Sequence, residues 1–251
     1  MSRRRLLGIG LLLPLLGGWG PVAPAPDARG ESEALEGPVG TTLRRSVPVL
    51  LVPGWFDTGR DLAPLRIRLL SAGWPQGWVA SLTFEDATGS NRTHAEEVAR
   101  AVEALREETG AAEVDIVAHS MGGLATRWYL LERGGDHVRR VVFLGSPHRG
   151  THSAHLSWGG ARDEMMPGSE FLISLNEAAP VPEGVEPMTI RTMIDTHIVP
   201  GESATLPGVE DHHLCCPTHA GLLHDDEVFS LVRDFLTAER VPDAGESVGA
   251  D

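Results

Sequence analysis

The first residue with chemical potential is a serine set between a strand pattern and a helix pattern. In VDIVAHSMGGLATRWYL, residues 114–130, the run Val114 to Ala118 reads as a short buried strand. The chain breaks at His119-Ser120-Met121-Gly122-Gly123, and helical spacing begins with Leu124 and Trp128. Attack on an ester or amide carbonyl needs a hydroxyl held out from its own strand, beside the N–H groups of a helix N-terminus. A tight strand-to-helix turn supplies both, provided small residues two before and two after the serine let strand and helix approach closely. Here those residues are Ala118 and Gly122. A serine N-cap on a glycine-rich turn would look similar, but the sharpness of the turn favours a nucleophile.

A serine of ordinary pKa needs a base, and the base needs an orienting carboxylate. On a strand–turn–helix scaffold of this kind both come later in the chain, carboxylate first. The histidines lie in or near CCPTHAGLLHDDEVF, residues 215–229. His219 is flanked by Thr218, Ala220 and Gly221, which leave room around an imidazole; His224 abuts the acidic start of a helix, and His212 and His213 fall in a polar turn. His219 leads, with the other three as alternatives. For the carboxylate, Asp195 closes TIRTMID directly after a strand, ahead of Glu202 and Asp211 in the following loop. A lone strand-end aspartate can also be a simple turn former. The oxyanion needs two donors. The expected ones are the backbone N–H of Met121 and that of Trp55, in the loop LVPGWFDTG where Gly54 frees the backbone. The rings of Trp55 and Phe56 then either pack in the core or line the acyl site.

These residues need a scaffold, and the pattern describes one. From Val47 onward strand-like and helix-like stretches alternate: strands near 47–52, 79–84, 114–118, 138–144, 189–194 and 214–216, and helices at 62–70, from Thr93 to Gly110, and from about Asp225. Thr93-His94-Ala95-Glu96 has the form of a capping box, and Val98, Val102 and Leu105 should face inward. Alternation of this kind gives an α/β fold, a mostly parallel sheet with helices on both faces, and functional groups gather at the carboxyl ends of its strands. Each residue discussed above sits at such an end.

Composition limits the partners. A formal net charge of -14 over 251 residues argues against nucleic acid and anionic membranes, and every one of the 21 basic residues is arginine. The first 20 residues, MSRRRLLGIGLLLPLLGGWG, have the layout of an export signal and are too short in their apolar part for a stable membrane span. Their Ser2-Arg3-Arg4-Arg5 start resembles a twin-arginine signal. The expected organisation is an export signal over 1–28, a polar linker over 29–45, a catalytic domain over 46–238 and a flexible tail over 239–251. A secreted or periplasmic location follows from that signal.

The stretches PVLLVPGWF, VDIVAHSMGG, VVFLGSPHRGT, MIDTHIVP and PTHAGLLHDDEVFSLV make the chain resemble an α/β-hydrolase of the bacterial lipase type. It is similar to the small secreted triacylglycerol lipases and esterases of Bacillus and Streptomyces. The resemblance covers nearly all of 47–236, and alanine in place of the elbow's first glycine, here Ala118, is typical of the Bacillus lipases. It implies an α/β-hydrolase fold without a large cap domain, a triad of Ser120, Asp195 and His219, and an oxyanion hole at Trp55 and Met121. One departure is Pro53-Gly54 where the family usually has His-Gly, which bears on the geometry of the oxyanion loop.

The implied activity is hydrolysis of carboxylic esters through an acyl-enzyme, with a small-molecule or lipid ester as substrate, a lipid–water interface as a candidate setting, and no cofactor or metal. Alternatives are acyl transfer or amide or polyester cleavage on the same fold, or a catalytically silent binding protein. The segment from Gly145 to Pro187 carries Trp158, Met165, Met166, Phe171, Leu172 and Leu175. It reads equally as a small lid or acyl-chain wall, with Phe56 and Trp158 as the substrate contacts, and as a helix packed on the sheet. Cys215 and Cys216 are adjacent; a vicinal disulfide is feasible, with free thiols the favoured state. Glu210 and Asp211 would be the nearest candidates for a Ca²⁺ ligand, although nothing in their spacing specifies one.

Overall fold

Apolar runs too short for helices form the centre of the molecule. A computed structural model describes residues 47–239, so the expected export signal and linker, and all but the first residue of the tail, lie outside the described residues. The six strands are β1 (Val49–Val52), β2 (Val79–Ser81), β3 (Val114–His119), β4 (Val138–Leu144), β5 (Glu186–Thr192) and β6 (Glu210–Leu214). They make one sheet in the order β2-β1-β3-β4-β5-β6, every pair parallel. β1, β3 and β4 are buried at every position, as expected of a parallel sheet covered on both faces.

The helices are α1 (Ala63–Ser71), α2 (Asn91–Thr109), α3 (Gly122–Arg133), α4 (Gly160–Glu164), α5 (Glu170–Glu177) and α6 (Asp226–Thr237). Strand alternation sorts them into two cores. Leu50 and Val52 pack with α2, α3 and α5, whereas Val49 and Leu51 pack with α1 and α6. Val98, Val102 and Leu105 of α2 are buried as their spacing requires, and Gly110 closes that helix at φ 71. A buried Asp115–Arg139 pair, whose guanidinium also donates to the Leu236 carbonyl, ties the end of α6 to the amino end of the sheet. Burial pushes the Asp115 carboxyl up to about 6 against the pull of Arg139.

Several boundaries differ from the sequence reading: β1 starts at Val49 and not Val47, and β2 stops at Ser81 and not Phe84. α2 starts at Asn91, so the helix precedes the Thr93 capping box: Ser90 is the N-cap, accepting from Arg92 N, and its hydroxyl also reaches Glu164. Glu164 lies more than 70 residues away, and local pattern does not reveal it. β5 runs over 186–192 and not 189–194, because register with β4 begins at Arg140 opposite Glu186. β6 covers 210–214, which puts His212 and His213 on an edge strand and not in a turn before one.

The segment between β4 and β5 is mostly core. Met165, Phe171, Leu172 and Leu175 are buried and Met166 packs against them. α5 is therefore a core helix packed against α3 and α4, and of the six apolar residues only Trp158 is exposed, at 54%. Residues at three- and four-residue spacing share one helix face, and in α5 that face, with Phe171, Leu172 and Leu175, is turned into the core.

Candidate functional site

The strand order reverses beside β1 and β3, with β2 reached on one side and β4 on the other. At such a switch point the loops leaving two adjacent strands part and open a crevice at the carboxyl edge. The loop after β1 and the turn after β3 flank that crevice.

The turn after β3 is tight. Ser120 has φ 54, a left-handed conformation that L-residues other than Asn and Asp rarely adopt. It is held by its own N–H, which donates to Leu144 O at 2.8 Å at the end of β4. Gly122 permits the approach of helix to strand, because a Cβ there would overlap the Pro53 carbonyl oxygen. Met121 is the N-cap residue of α3. Its N–H makes no hydrogen bond among the described residues, so it is a free donor at a helix N-terminus.

The loop after β1 faces the serine. A Cβ on Gly54 would stand 3.0 Å from Ser120 Cβ and 2.9 Å from Asp57 Oδ2, so only glycine allows the two segments this close. Trp55 N likewise has no partner among the described residues, while the next residue, Phe56, donates its N–H to Ala87 O at 2.9 Å and sits at φ 63. The Phe56–Ala87 hydrogen bond thus pins the loop that follows Pro53-Gly54. Trp55 Nε1 donates to Trp158 O at 3.1 Å. The rings of Trp55, Phe56 and Trp158 cluster with centroids 4.5 to 5.7 Å apart. Phe56 is 62% exposed, which assigns it to the rim of the crevice and not to the core.

His219 lies in the loop after β6, and its Nδ1 is 2.8 Å from Asp195 Oδ2. The other carboxylate oxygen of Asp195 accepts from His197 N at 2.8 Å and Ile198 N at 2.9 Å. Burial favours the neutral Asp195 carboxyl, but the His219 hydrogen bond and charge and the two backbone donors outweigh it, leaving its pKa below the ordinary value. For His219 burial wins: it lowers the imidazole pKa against the raising effect of Asp195, with His119 and His197 pushing it lower still. The ring borders the elbow. His219 Cε1 and Nδ1 would be 3.2 Å from a Cβ on Gly145, the residue after Leu144, and the His219 carbonyl lies 3.2 Å from His119 Nε2.

The competing residues have other employment. His224 is exposed, and His212 pairs with Glu210 at 2.9 Å. Asp211 accepts from Thr189 Oγ1 and Arg191 Nε, both at 2.9 Å, which clamps β5 to β6. Glu202 is exposed on a 3-10 turn. Two contributors escaped the sequence reading. His197 stacks on His219 with centroids 4.8 Å apart and planes at 21°. His119 bridges the two loops, its Nδ1 3.4 Å from Asp57 Oδ2 and its Nε2 near His219 O. Both lie within the motif stretches DTHIVP and VAHSMGG, but stacking and bridging across a sheet edge leave no trace in spacing. Asp195, His197 and His219 bring three donor atoms within 4.8 Å. The Asp195 oxygens are already taken by three N–H partners, so the trio serves as an orienting net.

Cys215 and Cys216 are joined as a vicinal disulfide, with Cα atoms 3.0 Å apart across a cis peptide. This corrects the free-thiol expectation: sequence spacing does not specify the local backbone geometry that decides the pairing. The bridge lies three residues before His219.

Residues 47–169 match the α/β hydrolase fold family. A triacylglycerol lipase of Vibrio cholerae serotype O1 is 34% identical over 116 residues, covering 45% of this chain and 36% of that protein, so the match spans about a third of the relative's length. Among solved structures, Aspergillus fumigatus lipase B superposes with a TM-score of 0.67 at 22% identity, covering 77% of this chain and 53% of that one. The mature form of Bacillus licheniformis lipase BlEst2 gives 0.65 at 16% identity, covering 78% and 94%. An all-parallel sheet in this order, an elbow after β3 and these likenesses agree, and the chain has the α/β-hydrolase fold.

Proposed function

We propose that this protein hydrolyses carboxylic esters with Ser120 as nucleophile, His219 as general base and acid, and Asp195 as the carboxylate that holds the imidazole. The observation that carries the reading is the 2.8 Å His219–Asp195 hydrogen bond in a loop packed against His119, the residue before a serine at φ 54. His219 is buried and neutral near pH 7, the form that can accept the Ser120 proton as its oxygen attacks the acyl carbon. Asp195, ionised, stabilises the imidazolium that results. The free N–H groups of Met121 and Trp55 are suited to hold the tetrahedral oxyanion. His219 then returns the proton to the leaving alcohol, and water, activated by the same base, releases the acid from the acyl-enzyme.

Phe56 and Trp158 form the wall of the acyl site in this reading, supported by their exposure and mutual contact at the crevice. Export, directed by the first 28 residues, belongs to the same proposal. The test is a panel of p-nitrophenyl esters of rising acyl length, triglyceride emulsions and acyl amides. Ester turnover with little amide turnover supports the reading; amide cleavage at comparable rates would replace it with the amidase alternative.

A further inference from the structure

A second cavity, of about 540 Å³, lies on the α3–α5 side of the sheet and is not lined by Ser120, Asp195 or His219. Its volume is in the range of small-molecule sites. Leu172, Ile173 and Leu206 supply apolar walls, and Arg127, Arg149 and Asn176 supply the polar groups.

The charge environment of the two arginines bears on what the cavity could hold. Asp and Glu number 35 against 21 arginines, and most described arginines lie within 4 Å of a carboxylate. Arg127 and Arg149 have no carboxylate partner among the described residues. Arg127 is 2% exposed. Its guanidinium donates only to neutral oxygens: Pro180 O at 2.9 Å, and Asn176 Oδ1 and Leu175 O at 3.0 Å. Arg149 Nη2 donates to Glu202 O at 2.8 Å and Thr205 Oγ1 at 2.5 Å, also uncharged acceptors. Both positive charges are felt by the fully buried His148, whose pKa is driven well below the ordinary value by burial first and then by these two cations. Asn176 holds the group together, its Nδ2 donating to His148 O at 2.8 Å while its Oδ1 accepts from Arg127. A buried cation without a counter-charge is costly, and an anion entering the cavity would supply that charge.

We propose that this cavity binds an amphiphilic carboxylate, a fatty-acid-like anion whose head group meets Arg127 and Arg149 and whose chain lies along Leu172, Ile173 and Leu206. The apolar walls decide against a purely inorganic anion, and the two uncompensated guanidiniums decide against a neutral lipid. Guanidinium and carboxylate also match as planar, bidentate partners. The inference uses none of the triad residues and stands whether or not the ester-hydrolase reading does.

Calorimetric titration of the intact protein with sub-micellar decanoate, with decanol and sodium sulfate as controls, tests it. One decanoate per chain is expected, with decanol and sulfate at least about tenfold weaker, since a charge-assisted contact and a buried chain are each worth about that factor. Arg149 and Ile173 are exposed, so Arg149→Gln and Ile173→Glu should fold, as circular dichroism would verify, and each should weaken decanoate at least about tenfold. No binding, wild-type affinity in both variants, or sulfate as tight as decanoate would overturn the proposal. So would loss of decanoate binding in Trp158→Ala with Arg149→Gln unaffected, which would place the anion in the catalytic crevice.

Discussion

Ser120 and Phe56 are the described non-glycine residues at positive φ, and both stand at the same crevice. Such strain survives only where surrounding contacts over-determine it; here the Ser120–Leu144 and Phe56–Ala87 hydrogen bonds do so. Ser120→Ala should fold normally and lose ester hydrolysis by about 10³-fold or more. His219→Ala should match it, whereas His224→Ala, altering an exposed side chain, should keep most of its rate. Retained activity in purified Ser120→Ala, or reversed effects of the two histidines, would remove these assignments. The pH profile carries a sign. Burial lowers the His219 pKa below 6.5, so kcat/KM should rise with pH through an apparent pKa under that value, where the neutral base appears. Asp195 raises that pKa by hydrogen bond and charge, so in Asp195→Asn the acid limb should move to still lower pH while kcat drops steeply with KM little changed. An unshifted limb together with a near-normal kcat would mean that another group orients the base.

At the scale of elements, the β3–α3 elbow depends on two close approaches. Gly122 meets the Pro53 carbonyl and Gly54 meets Ser120, so the small-residue rule legible in the sequence has a definite steric cause at each position. Gly122→Ala must push α3 away from β1, at a cost of about 1–3 kcal/mol of the kind seen for overpacking. Chemical denaturation of that variant should show a lower midpoint with an unchanged slope; an unchanged midpoint would mean the helix can shift freely. The same scale holds the main misreading. The Thr93 motif looks like a helix start, yet Ser90 caps the helix because Glu164, from a distant segment, receives both its hydroxyl and Asn91 N. Helix periodicity was readable from Val98, Val102 and Leu105; the cap was not, because its second partner is tertiary.

Over the whole molecule, the segment between β4 and β5 divides its apolar residues between stability and the crevice. Phe171 stacks on Trp128 at 5.0 Å, and the Arg92 guanidinium lies 3.7 Å from the Trp128 ring centre and 5.5 Å from that of Phe171. Phe171→Ala should therefore cost about 3–5 kcal/mol, as large core truncations do, visible as a large fall in thermal midpoint. Trp158 is half exposed and its carbonyl, not its ring, receives the Trp55 hydrogen bond. Trp158→Ala should leave the thermal midpoint nearly in place and slow long-chain esters more than acetate. A stable Phe171→Ala, or a Trp158→Ala enzyme with an unaltered chain-length profile, would contradict this division.

The order of strands and helices, the position of the elbow and the chain order serine, aspartate, histidine were all present in the sequence, because short apolar runs, helical spacing and turn residues act locally. Ser120, Asp195 and His219 could be named as candidates because the first follows β3 directly and the other two lie in the loops after β5 and β6. Only the tertiary structure decided which apolar residues of 145–187 enter the core, that His197 and His119 pack around His219, that Cys215 bonds Cys216, and that Arg127 and Arg149 share a cavity. Those outcomes depend on which distant segments meet across the sheet edges, and on burial that no single segment experiences alone.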